Sequence, residues 1–293
     1  MKKQLFLAAC LLCAPSLALA QPQDQDNNIT PYALDYALYA GGLRVVDVDV
    51  TYAQGNGHYE VTAGAVTSGI WKSLVPWRND IFAQGKVTED GSLQVERAVY
   101  DTYWRDKPKS VEMLYNEQGF VTTIATPPHK PDGRVEATPE QLKNSVDTLS
   151  AVVQVLTKGG LNGCQGSIPA YDGRRLYKLI LTNKGEQVLR ESRYSMFAGP
   201  ALRCEVTFEP VAGFPVKETR AGFWNARDNE KKNNPLIIWL AKPAPDAPEL
   251  PVRVQSTVQL GTLIAHIKSI SPVTADVAAT EQTLPKTVSN VVK

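Results

Sequence analysis

The residues best equipped for chemistry are three histidines, two widely spaced cysteines, an Asp-Gly-Arg-Arg turn and five tryptophans. His58 begins a strand pattern, His129 lies in the loop PPHKPDG and His266 lies in the last strand pattern, so no two share a metal-ligand spacing. Beyond residue 20 there is no CxxC pair and no HExxH, and we expect neither a metal site nor a cofactor. A GxSxG elbow and a phosphate-binding glycine loop are equally missing, which points away from an enzyme. A hydrolase built from residues scattered along the chain is the third-ranked reading, because catalytic sets need not be adjacent in sequence.

Asp47 and Asp49 project from one strand face and could offer oxygens to calcium, but their alternation with valines reads as a solvated face. Asp172-Gly173-Arg174-Arg175 could hold a carboxylate or phosphate, since a guanidinium fork matches either geometry. The competing reading is a turn whose arginines pair with acidic neighbours, and it is the one favoured. Trp71, Trp77, Trp104, Trp224 and Trp239, with eleven tyrosines, could line the mouth and hollow of a curved sheet; packing in the core accounts for most of them equally well. Candidate ligand-binding residues are therefore Trp71, Trp77, Trp104, Arg174, Arg175 and Trp239.

What positions these residues begins with MKKQLFLAACLLCAPSLALA. Lys2 and Lys3 form a basic start, Leu5 to Leu12 an apolar stretch and Ala18-Leu19-Ala20 a small-residue cleavage site, so residues 1–20 read as a secretory signal peptide cut between Ala20 and Gln21. Lipidation at Cys10 is disfavoured because the apolar segment before it is shorter than the roughly 7–15 residues that a signal core needs. The expected location is the periplasm. Without Lys2 and Lys3, 29 basic side chains face 30 acidic ones, so no net field favours nucleic acid or an anionic membrane surface. No later apolar run approaches the roughly 20 residues of a spanning helix. In an oxidising compartment, Cys164 and Cys204 form an even pair and are expected to be bonded to each other.

Residues 21–30 read as a flexible lead-in and 271–293 as a disordered tail, leaving 31–270 as one β-rich domain. TPYALDYALYA, Gly41-Gly42 and LRVVDVDVTYA form a hairpin pattern, continued by HYEVTAGAV, IFAQGKV, SLQVERAVYDTYW, SVEMLYNEQ and FVTTIAT with glycine-bearing turns. TSGIWKSLVPW spaces Ile70, Leu74 and Trp77 as a short helix that would plug or cap the sheet. Thr138-Pro139-Glu140-Gln141 is a capping box, and Leu142, Val146, Leu149, Val153 and Leu156 follow at spacings of 4, 3, 4 and 3. These predict one amphipathic helix ending at Gly159-Gly160. Strand patterns resume at RRLYKLILT, QVLRESRYSMF, LRCEVTFEPVA, FPVKETRAGFW, LIIWLA, LPVRVQSTVQL and TLIAHIKSI. About a dozen strands exceed what an open sheet carries without curling, so the fold expected is mainly β: a large curled antiparallel sheet or half-barrel wrapped around one amphipathic helix.

The Tyr-rich first strand with its Gly-Gly turn, TSGIW, VDTLSAVV, PAYDGRRLYKL, CEVTFEPVAGF and the closing IIWLA...LPVRVQSTVQLGTLIAHI resemble exported proteobacterial proteins of domain of unknown function 3108, over roughly Tyr32 to Ile270. The resemblance implies a half-barrel on a helix, similar to periplasmic lipoprotein carriers and lipoprotein-sensing domains, and implies no catalytic residue. The function expected is non-enzymatic binding of a lipid, lipoprotein or hydrophobic peptide in envelope maintenance. An envelope protein-protein interaction scaffold is the alternative.

Overall fold

The computed structural model describes residues 31–105, 107–214, 235–258 and 261–273. The expected signal peptide, the lead-in, the strand pattern from residue 215 to 224 with Trp224, and the tail beyond 273 lie outside the described residues. Residues 271 and 272, assigned to the tail by their composition, instead end the last strand.

The first half is an antiparallel meander of β1 (Tyr32–Ala40), β2 (Leu43–Gly55), β3 (His58–Thr67), β4 (Trp77–Val87), β5 (Leu93–Trp104), β6 (Lys107–Tyr115) and β7 (Val121–Thr126). The second half adds β8 (Gly166–Tyr171), β9 (Leu176–Leu189), β10 (Gly199–Ala212), β11 (Leu236–Ala241), β12 (Leu250–Val258) and β13 (Gly261–Pro272). All thirteen form one sheet in the order β7-β6-β5-β4-β3-β2-β1-β13-β12-β11-β10-β9-β8, the two halves joined where β1 pairs with β13. Strand twist curls a sheet of this width, because open twisted sheets rarely exceed about ten strands. Its edges meet through side chains: the Thr123 hydroxyl on β7 donates to the Tyr171 hydroxyl on β8 at 3.3 Å, with no backbone ladder between the two strands. The result is the expected half-barrel.

The single expected helix is three segments. The capping box is as read: Thr138 accepts from the Gln141 backbone N–H while the Gln141 side chain accepts from the Thr138 N–H. It caps only α2 (Pro139–Leu142), after which Asn144 takes a positive φ and Val146 forms a parallel bridge to Ala170 of β8. Asp147 then caps α3 (Thr148–Lys158), and α4 (Gly160–Gly163) follows. The apolar spacing ran through the break because Val146 is buried too, but against a strand edge.

α3 lies inside the curl, burying Ala151, Val153 and Val155 against the sheet, and the Thr157 hydroxyl donates to the Gly91 carbonyl at 2.6 Å. Cys164, just after α4, is bonded to Cys204 on β10. That bond ties the helical insert to the inner face of the second half. Closing a forty-residue separation stabilises the fold by about 4 kcal/mol in the chain-entropy model.

Three smaller expectations are corrected. The helix in TSGIWKSLVPW is α1 (Trp71–Leu74), which buries nothing and plugs nothing; Ile70 and Leu74 are 70% and 60% exposed, and Trp77 opens β4. QVLRESRYSMF is not one strand: its first residues finish β9, and 190–198 is a loop whose Met196 N–H donates to Ile267 O. β8, with Pro169 inside it, was not expected; as an edge strand it tolerates the missing N–H.

Candidate functional site

Between α3 and the curled sheet lies a cavity of about 660 Å³. The meander contributes Trp77, Asn79 and Ile81 from β4 and, in register opposite them, Thr102 and Tyr100 from β5. α3 turns Ala151, Val152 and Val155 into it, and β9, β10 and β11 supply Leu179, Leu181, Val206, Phe208 and Ile238. Alternate residues of each strand line the space because successive side chains leave opposite faces. The walls are mostly apolar and the volume falls in the roughly 300–1,000 Å³ range of small-molecule sites.

Polar groups gather towards the strand ends at one end of the half-barrel. Lys109 lines the cavity from β6, opposite Thr102, is exposed, and has no ion-pair partner among the described residues. Arg175 also lines it, but its guanidinium pairs with Asp172 at 2.6 Å. Arg174 faces away to Asp132 at 3.0 Å and to the Lys130 carbonyl at 2.9 Å. The Asp-Gly-Arg-Arg turn therefore makes internal ion pairs and presents Arg175 alone to the cavity.

The aromatic candidates separate. Trp77 lines the cavity; Trp104, its register partner on β5, is 48% exposed; Trp71 is half-buried on α1. Trp239 does not line the hollow. Its neighbour Ile238 does, so Trp239 leaves the other face, where it is buried, donates to Gln187 Oε1 at 2.9 Å and carries the Arg253 guanidinium 4.6 Å from its ring. The run LIIWLA is apolar on both faces and so gave no phase.

At the inner end of the cavity is a buried polar cluster that the sequence reading missed. Asp147 Oδ1 accepts the Leu149 and Ser150 N–H groups and the Tyr100 hydroxyl at 2.9–3.1 Å. The Thr148 N–H donates to the Tyr100 oxygen, and the Tyr59 hydroxyl meets Ser150 Oγ at 2.7 Å. Burial raises the Asp147 carboxyl above the usual carboxylate range against these hydrogen bonds, and Oδ2 has no hydrogen-bond partner among the described residues. Burial, then the nearby Asp147 charge, likewise holds the Tyr100 phenol well above its ordinary value. The signal that could have found the cluster was Asp147 itself, an N-cap residue type placed in mid-stripe.

Elsewhere, Asp47 pairs with Arg44. Asp49 lies over Gly64, where a Cβ would sit 2.6 Å from its Oδ2, and burial first, then the Asp80 and Asp35 charges, raise its pKa against backbone hydrogen bonds that lower it. No group of three His, Cys, Asp or Glu side chains suited to a metal occurs among the described residues. Nor is any helix among them long and apolar enough to cross a membrane.

The family described as "Protein of unknown function (DUF3108)" matches residues 32–268. No curated protein matches the chain. Among solved structures, a beta-barrel-like protein of domain of unknown function DUF1849 from Brucella abortus is similar over 84% of this chain and 98% of its own, at 10% identity and a TM-score of 0.45.

Proposed function

We propose, from the premise that this chain belongs to the DUF3108 family, that it is a non-enzymatic binding protein whose cavity takes the hydrocarbon part of an amphiphile, either a lipid or the acyl portion of a lipoprotein. The observation that carries this reading is the apolar cavity of about 660 Å³ with Lys109 at its mouth, lacking an ion-pair partner among the described residues. Hydrocarbon gains by leaving water for Ala151, Val152, Val155 and Ile238, while a carboxylate or phosphate headgroup stays at the mouth within reach of Lys109. The signal-like first twenty residues support a periplasmic site of action and a part in envelope maintenance.

Displacement of a fluorescent fatty-acid analogue tests it. Val152→Trp, which fills the cavity, is expected to weaken binding at least about tenfold, and Lys109→Glu to weaken a fatty acid more than the uncharged alcohol of equal length. Unaltered affinity in both variants would refute the assignment.

An interaction scaffold is the second reading, favoured by β7, an edge strand with no further strand paired to it among the described residues, which could accept a partner strand. Cross-linking in intact cells separates the two, since a scaffold traps protein and a carrier traps lipid.

A further inference from the structure

We propose that the cavity end of the half-barrel docks on an anionic phospholipid bilayer, with α1 and the β5–β6 turn as its footing. This rests on the cavity holding an amphiphile, because docking there would set the mouth against the source of the ligand.

Three observations meet at this end. First, apolar side chains that a folded domain ordinarily covers stand in water: Ile70 precedes α1 and Leu74 ends it, Trp104 is 48% exposed, and Leu43 at the β1–β2 turn is 60% exposed. They belong to one neighbourhood, because the Ser68 N–H donates to Val45 O and the Arg105 N–H to Pro76 O, joining the β1–β2, β3–β4 and β5–β6 connections. Second, the patch is continuous with the cavity. Trp104 pairs with Trp77, which lines the cavity, and lies two residues beyond Thr102 on the same strand face.

Third, the charge around it is one-sided. Residues 70–80 and 104–109 carry five basic side chains against two acidic ones, and one of those acids, Asp80, is paired with Arg78. At the far end, the turns 88–92, 116–120 and 242–249 carry five carboxylates against one basic group. A nearly neutral protein is thus polarised along the barrel axis. Exposed Ile, Leu and Trp ringed by Lys and Arg have the composition of a peripheral bilayer-binding face. There the indole sits at headgroup depth, the aliphatics enter the acyl boundary, and the cations meet anionic lipid.

Flotation of the full chain with phosphatidylcholine vesicles, with and without phosphatidylglycerol, tests the docking. Binding is expected only with phosphatidylglycerol, to weaken as salt rises, and to fall by roughly tenfold in Ile70→Ser/Leu74→Ser and in Lys72→Glu. Uptake of the fluorescent fatty acid from vesicle-free solution serves as the fold control and is expected to be unchanged in these variants. Failure to float with any vesicle, or equal flotation of wild type and variants, overturns the docking. Loss of uptake in the wild type would overturn the cavity reading instead, so the two failures are distinguishable.

Discussion

Asp147 joins a helix start to the sheet. It caps α3, receives Tyr100 and is fully buried, with Oδ2 unpartnered among the described residues. Replacing it by alanine strands two backbone donors and a phenol, and is expected to cost at least about 1–2 kcal/mol, measured by urea unfolding. Because burial raises its pKa above the unfolded value, the folded state binds the proton more tightly. The resulting stabilisation is present below the unfolded pKa, near about 3.9, and is lost as pH rises through the folded pKa. Asp147→Asn keeps an oxygen for the cap and removes the titration, so its stability relative to wild type is expected to improve as pH climbs through that window; parallel pH profiles would contradict this.

His266 has the opposite sign. Burial, then Arg253 and Lys268, lower its pKa to about 4, and the rings of Tyr39 and Tyr194 pack against it. Its stabilising contribution is present above the unfolded value of about 6.5 and is lost as pH falls through 4. His266→Phe is expected to flatten acid unfolding between those limits, as followed by near-UV dichroism. Nothing local in AHIKS announces this environment. It is made by the loop 190–198 folding against β13, where Lys268 donates to Tyr194 O.

At the scale of elements, the turn between β8 and β9 closes the seam. Gly173 adopts φ +85°, and a Cβ there would lie 2.2 Å from Val111 of β6, so the two edges approach only because the side chain is absent. Gly173→Ala is expected to destabilise the fold by roughly 2 kcal/mol through backbone strain and overlap, read by thermal unfolding. A neutral effect would mean the edges are not held together there. The meander, its glycine turns and the Thr138 capping box were legible because strand alternation and caps are local signals. The helix break was not, since Val146 kept the apolar spacing while its N–H went to Pro169 O in a bridge formed by distant chain. α1 misled for a related reason: Ile70, Leu74 and Trp77 have helical spacing, but spacing cannot say whether an apolar face meets a core or water.

For the molecule as a whole, thirteen strands in one sheet among the described residues dictate the curl, and the curl around α3 leaves a hollow open to solvent. The architecture could be anticipated from strand number and a single amphipathic pattern. The cavity could not, because its wall is assembled from residues between Trp77 and Ile238 that share no period along the chain. Lys109 had no distinguishing mark in sequence and gains significance only by standing at the rim of that wall. The account's central claim, that the hollow holds an amphiphile, is tested most directly by native mass spectrometry of the purified protein before and after organic extraction. We expect one amphiphile to leave on extraction and to be restored by adding a long-chain fatty acid. A mass that is ligand-free from the outset and takes up nothing would contradict the claim.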